Sequence, residues 1–294
     1  MKRAAACLLA AVLLVTGCAR EPQYALQGDY SIGFTNTDAI VHALRGGLRG
    51  HSQRVHIRYR SHADQMEDIS GIVRELMDCA VQETERPDEG DYLRYQYGGY
   101  EMQYAYTREG EEYAYEITIT PEYYTTQAQE TDAQAALQEA MDAIALTPRD
   151  DAYTRICKVA GYIREHVQYD LVHRDHPHFH LRSTMYGALV YGRATCQGYA
   201  VVAYRMLREA GVDARILTGT AVAPDGSEEQ HAWNLVRIGD AWYNLDLTWT
   251  SDADAWFLKS DADFPGHIRD AQFQTPEFQA AYPAAMTSYD TEKE

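Results

Sequence analysis

"HAWNLVRIGDAWYNLDLTW", residues 231–249, sets two runs of alternating apolar and polar residues on either side of Gly239-Asp240. A Gly-Asp pair between such runs is a strong two-residue hairpin signal. With that turn Ile238 faces Ala241, Trp233 faces Asp246 and His231 faces Thr248. Side chains on a strand alternate with a period of two. His231, Trp233, Leu235, Trp242, Asn244 and Asp246 therefore share one face of the ribbon. His231 and Asp246 become diagonal neighbours, about 7–8 Å apart between backbones and within side-chain reach. A three-residue turn would separate them onto opposite faces. A carboxylate so placed can fix the tautomer of an imidazole and support its positive charge.

Upstream, "GRATCQGYA" (192–200) opens a helical pattern that continues to Gly211, with Ala200, Val201, Tyr204 and Leu207 along one face. Thr195 occupies an N-cap position and Gly211 the C′ position. Cys196 thus falls in the first turn, where exposed N–H groups and the helix dipole favour a thiolate over a thiol. Gly198, one turn in, leaves room for another chain or a substrate to approach. Taken alone, the stretch reads first as a packed cysteine.

The other cysteines narrow the choice. Lys2 and Arg3 precede an apolar run, Ala4 to Val15, too short to span a bilayer comfortably, where about 20 residues are needed. Residues 1–17 read as a signal peptide. "LVTGC" (14–18) resembles a bacterial lipobox, which implies cleavage before Cys18 and lipid on its thiol. Cys79, Cys157 and Cys196 remain, an odd number in an exported chain, and an odd thiol there suggests a reactive one. Cys157 lies at the edge of a helix stripe and reads as packing. Without a C-x-x-C pair the three cysteines make no zinc site, so no metal and no cofactor is expected. A formal charge of -18 spread along the chain argues against nucleic-acid binding.

Residues 18–30 form a lipidated tether. An N-terminal α+β domain (31–125) follows, with a helix in "TDAIVHAL", a strand in "QRVHIRYR", a helix near 64–82 and three strand-like runs. These are "YLRYQY", "YEMQYAYT" and "EYAYEITIT", with Gly98-Gly99 and Glu109-Gly110 as turns. Their tyrosines suit either a half-buried sheet face or a carbohydrate platform. A second domain (126–285) opens with a helix carrying Ala133, Leu137 and Ala140. Thr147 and Pro148 then read as the cap and first position of the next helix. "HRDHPHFH" brings His173, His176, His178 and His180 together, a composition that can bind metal, although Pro177 makes it an irregular loop.

Residues 150–265, through "CQGYAVVAYRMLREAG", "HAWNLVRIGDAWYNLDLTW" and "WFLKSDADFPGH", resemble the core of the transglutaminase-like superfamily. The order Cys, then "HAWN", then Asp followed by "TW" carries the resemblance. Ala194-Thr195 departs from the family's frequent Gly-Val before the cysteine. The resemblance implies an α+β, papain-related fold with the cysteine helix packed on an antiparallel sheet. It also implies Cys196 as nucleophile, His231 as general base and acid, and Asp246 as orienting group. Together with the lipobox it implies an extracytoplasmic, lipid-anchored enzyme that meets the membrane through its N-terminal lipid and acts on peptide or protein amides. Gln197 and Tyr186 are candidates for a second oxyanion donor. The rival reading is a surface binding or assembly protein of the same fold, against which the intact Cys, His and Asp argue.

Overall fold

The computed structural model describes residues 24–27, 33–34, 37–61, 68–173, 176, 179–222, 226–249 and 253–290. The signal-like segment, Cys18 and His178 lie outside them. Two compact units divide between Tyr123 and Tyr124.

In the first unit, β1 (Tyr24–Gln27), β2 (Gly33–Phe34), β3 (Val55–Ser61), β4 (Tyr97–Glu109) and β5 (Glu112–Tyr123) form an antiparallel sheet in the order β2-β1-β3-β5-β4. β1 takes in four residues of the stretch assigned to the tether, pairing Ala25 with Arg58. Two helices supply its core, α1 (Thr37–Arg49) and α2 (Ile69–Ala80). Ile40, Leu44, Val73 and Met77 bury against Val55, Ile57, Ile117 and Ile119. α2 starts at Asp68, whose carboxylate accepts from the Gly71 N–H, and its last carbonyls receive the Arg45 guanidinium.

"YLRYQY" is not a strand. Asp91–Arg94 forms a short helix, α3, because the Glu83 carboxylate, eight residues upstream, accepts from the Asp91 N–H and caps the turn. Gly98-Gly99 is not a turn either. β4 continues through it with a bulge between Tyr97 and Gly99, which a backbone at φ 150° accommodates. Tyr115 lies in the core, Tyr97, Tyr100, Tyr113 and Tyr123 pack against it, and Tyr104 and Tyr106 are about half exposed. The tyrosine run is a half-buried sheet face.

The second unit begins with α4 (Gln127–Ala143), opened by a capping box between Thr126 and Gln129. α5 (Ala152–His166) is capped by Asp151, which accepts from the Thr154 N–H. Thr147 instead closes a turn with Asp150, so the helix starts four residues later than the Thr-Pro signal indicates. β6 (Gln168–Tyr169) and β7 (Arg193–Ala194) pair in parallel, with α6 (Met185–Leu189) between them. β7 runs directly into α7 (Cys196–Glu209).

α7 is buried without interruption from Gly198 to Leu207. A helix buried on all sides is a central one, and α7 has α5 and α6 as neighbours as well as the sheet strands β8 (Ala214–Val222) and β9 (Glu228–Ile238). Even Arg205 is internal, paired with Glu209 and with Gln134, 3.0 Å away. With β10 (Ala241–Leu245) and β11 (His267–Arg269) the sheet has the order β10-β9-β8-β11, antiparallel throughout. A short helix, α8 (Pro276–Ala281), follows β11, and the chain after it returns to β10 through a bridge of Ala284 to Trp242. The α+β class, with a cysteine-bearing helix packed on an antiparallel sheet, is as the sequence indicates.

Asn234 ties helix to sheet. Its buried amide donates to Ala200 O (3.0 Å) in α7 and to Arg215 O (3.2 Å) in β8. Replacing a buried, satisfied donor leaves its partners unmet, at about 1–3 kcal/mol. Asn234→Ala should therefore lower unfolding stability by about 1–3 kcal/mol in urea titration. An unchanged midpoint would show that the tie contributes nothing.

Candidate active site

The hairpin has the register the Gly-Asp turn dictates: Ala241 pairs with Ile238, Trp242 with Arg237, and so on to Leu245 with Asn234. Gly239 takes φ 60°, which a Cβ would strain. Beyond Leu245 the chain leaves the ladder, but the parity holds, and His231 Nε2 donates to Asp246 Oδ2 at 2.7 Å. Both side chains are almost fully buried, 2% and 1% exposed. Trp233 and Asn244 share the face as expected, joined by an indole N–H to Oδ1 hydrogen bond of 3.2 Å.

Cys196 is the first residue of α7, and its Sγ lies 4.0 Å from Gln230 O, beside the strand that carries His231. Cys196 also lies near enough to His231 to raise the pKa of its ring. With Nε2 given to Asp246, Nδ1 is the nitrogen left for the thiol. The three residues the sequence singled out are thus brought together from a helix start, a strand and a loop. Cys79 belongs to the first unit, and Cys157 sits in α5.

Thr195 is the N-cap residue, yet its side chain makes no cap hydrogen bond. Its hydroxyl turns to Arg182 O and Ser183 instead. The threonine therefore leaves the N–H groups of the first turn for another acceptor. Gly198 has a different use from the one its size suggests. A Cβ there would meet Arg182 O at 2.5 Å and Ala194 Cβ at 2.8 Å, so the chain itself fills that space.

Two residues at the site lie in the quoted stretches but were given no role from sequence. The Trp249 ring stacks 5.1 Å from His231, nearer than Trp233 at 6.2 Å. His267, on β11, donates from Nε2 to the same Asp246 Oδ2 at 3.2 Å, with its side chain wholly buried. No spacing rule links a three-residue strand to a hairpin two strands away, so only the fold brings His267 here. The donor atoms of His231, Asp246 and His267 lie within 4.8 Å of one another, the group among the described residues that could together hold a metal. Both imidazoles instead meet one carboxylate oxygen, which makes them a hydrogen-bonded trio. In the histidine-rich loop, His173 turns to the buried Asp170 at 2.9 Å and stacks on Phe179. A cavity of about 310 Å³, lined by Trp233, Asn244, Phe264, His267 and Arg269 among others, borders His267; Cys196 does not line it.

Residues 138–247 match the profile of the transglutaminase-like superfamily. The match covers less than half of the chain, so it is a likeness of this segment to that superfamily. Solved structures similar to the chain include a TGase at 14% identity and TM-score 0.37, covering 66% of this chain and 51% of that one. A candidate cysteine protease from Cytophaga hutchinsonii matches at 12% identity and TM-score 0.33, covering 59% and 69%. The periplasmic domain of TgpA from Pseudomonas aeruginosa, bound to ethylmercury, matches at 13% and 0.27, covering 66% and 72%. The chain thus spans about half the length of the first of these. Among curated proteins no sequence matches significantly.

Electrostatics at the site follow from burial and pairing. Burial works against charge on the His231 ring, but hydrogen bonds to Asp246 and Cys196, and attraction to both, raise its pKa well above the ordinary histidine value. Burial works against the Asp246 carboxylate too. Hydrogen bonds from His231 and His267, the His231 charge and the Thr248 N–H nevertheless hold it below the usual carboxylate range.

Linkage fixes the sign of the pH dependence. The depressed Asp246 contributes fully above its unfolded value, about 4, and loses that contribution as pH falls through its folded value. The raised His231 contributes fully below about 6.5 and loses it as pH rises through its folded value. Asp246→Ala, which strands a buried imidazole, should cost about 3–5 kcal/mol. Urea titrations across pH should show the greatest difference from the unaltered protein between about pH 4 and 6.5. A difference independent of pH would show that the pair does not titrate with folding.

Proposed function

We propose that the second unit is a cysteine-dependent enzyme that cleaves or transfers amide bonds through a thioester. The observation that carries this reading is the buried 2.7 Å contact of Asp246 with His231, beside a helix start whose first residue, Cys196, lies 4.0 Å from the neighbouring Gln230 O.

Cys196 Sγ attacks the amide carbonyl and forms the S–C bond. His231, protonated, gives its proton to the nitrogen as the C–N bond breaks and the amine leaves. Asp246 holds the ring in the tautomer and orientation this requires. The oxyanion is held by the Cys196 backbone N–H, at a helix start whose N-cap hydroxyl is turned elsewhere. Water then adds to the thioester as His231 takes its proton, and collapse releases the acid and Sγ. Water is the default acceptor at an open site, so hydrolysis is favoured over transfer to an amine.

Iodoacetamide at pH 6–7 should modify Cys196 at least tenfold faster than Cys79 or Cys157, as for a thiol activated by a cationic neighbour and a helix start. Equal slow modification of all three would sink the nucleophile role. Peptide mixtures incubated with and without a tagged amine separate the outcomes: new termini mean hydrolysis, incorporated tag means transfer. Neither product would favour a binding protein.

The lipobox-like "LVTGC" supports extending the proposal to an extracytoplasmic enzyme held to the membrane by lipid on Cys18. Metabolic labelling with an alkyne fatty acid in a bacterial host should mark the full chain and fail for Cys18→Ala. Equal labelling of both would overturn the anchor.

A further inference from the structure

Two imidazoles converge on one buried oxygen, and the reading above uses only one of them. His267 Nε2 lies 3.2 Å from Asp246 Oδ2, and its Nδ1 lies 3.3 Å from Pro265 O. Otherwise the ring is enclosed by aromatics, with centroids at 3.9 Å for Phe264, 4.8 Å for Trp249, 5.1 Å for Trp233 and 5.2 Å for Trp256. An apolar cage of this kind would accept a phenyl ring at no polar cost, whereas a buried imidazole must find partners. The backbone is arranged to bring it there. β11 passes so close to β8 that a Cβ on Gly219 would meet Ile268 O at 2.0 Å. Gly219 is also the residue paired with His231 on β9.

Asp246 needs this support. It lies beyond the last pair of the hairpin ladder, Leu245 with Asn234. Its carboxylate is set by three donors: the Thr248 N–H on Oδ1 at 2.8 Å, and His231 and His267 on Oδ2. Thr248 and His231 are both within the Asp246 hairpin and its exit, so they move with it. His267 alone of the three comes from a separate strand, and it lies beyond the segment that matches the family profile.

We propose that His267 is a positioning residue for the reaction: it fixes the Asp246 carboxylate against the sheet, and through it the plane in which His231 faces Cys196. The inference rests on the cysteine-enzyme reading. It assigns His267 no contact with substrate and no proton transfer.

The test uses the full chain with His267→Phe, which fills the cage without a donor, and His267→Gln, whose amide N–H can reach Asp246. The probes are iodoacetamide for the Cys196 thiol and p-nitrophenyl acetate for turnover. Loss of one hydrogen bond to a charged group predicts a fall of about 10- to 100-fold in kcat for His267→Phe. KM should stay within about twofold, because no substrate contact is removed. Cys196 alkylation should slow in parallel, and His267→Gln should recover most of both rates. Unaltered rates in His267→Phe would overturn the proposal. So would equal loss in both variants, which would mean the ring serves packing alone. If the unaltered protein showed no preference for Cys196 over Cys79 and Cys157, the cysteine-enzyme reading itself would fall and take this inference with it. That outcome is distinct, because it is seen before any variant is compared.

Discussion

A carboxylate buried to 1% exposure is tolerable only when donors meet both of its oxygens, and Asp246 imposes that demand on the second unit. The Thr248 N–H answers for one oxygen, and His231 and His267 for the other. Meeting them requires a hairpin of one register, a chain that leaves the ladder after Leu245, and a fourth strand drawn close over Gly219. A shift of one residue in the hairpin would turn Asp246 away from His231 and leave both buried side chains unpaired.

Around that carboxylate the unit is built to hold a helix start against a strand. α7 is enclosed by apolar neighbours along ten residues, so its axis has little freedom, and Asn234 pins it to the sheet. The rigid part ends where the polar part begins: Cys196 lies at the helix start, partly exposed, while His231 behind it is dry. That gradient lets one ring nitrogen keep a buried ion pair while the ring's edge stays beside the strand that faces the thiol. Thr195, by turning its hydroxyl to Arg182 O, leaves the donors beside that thiol uncapped by its own side chain.

Much of this was legible in residue order, and the failures have local causes. The 3.6-residue pattern from Cys196 to Glu209 and the two-residue pattern around Gly239-Asp240 both survive folding, because each is long and its buried face is unambiguous. "YLRYQY" alternates like a strand but is drawn into a helical turn by Glu83, a cap too distant for a local rule to see. Gly98-Gly99 carries a turn composition, yet a single bulge absorbs it within a long strand. Thr147-Pro148 has the chemistry of a helix start, but Asp151 competes for the same role and begins the helix.

The sequence by itself determined the hairpin register, the place of Cys196 at the head of a helix and the shared face of His231 and Asp246, because short periods and turn chemistry act over few residues. Only the tertiary structure decided that Cys196 lies beside the strand of His231, that Trp249 rather than Trp233 lies nearer that ring, and that His267 shares the Asp246 oxygen. Those contacts join segments whose separation along the chain carries no periodicity. They form because packed layers leave each buried polar group one set of partners.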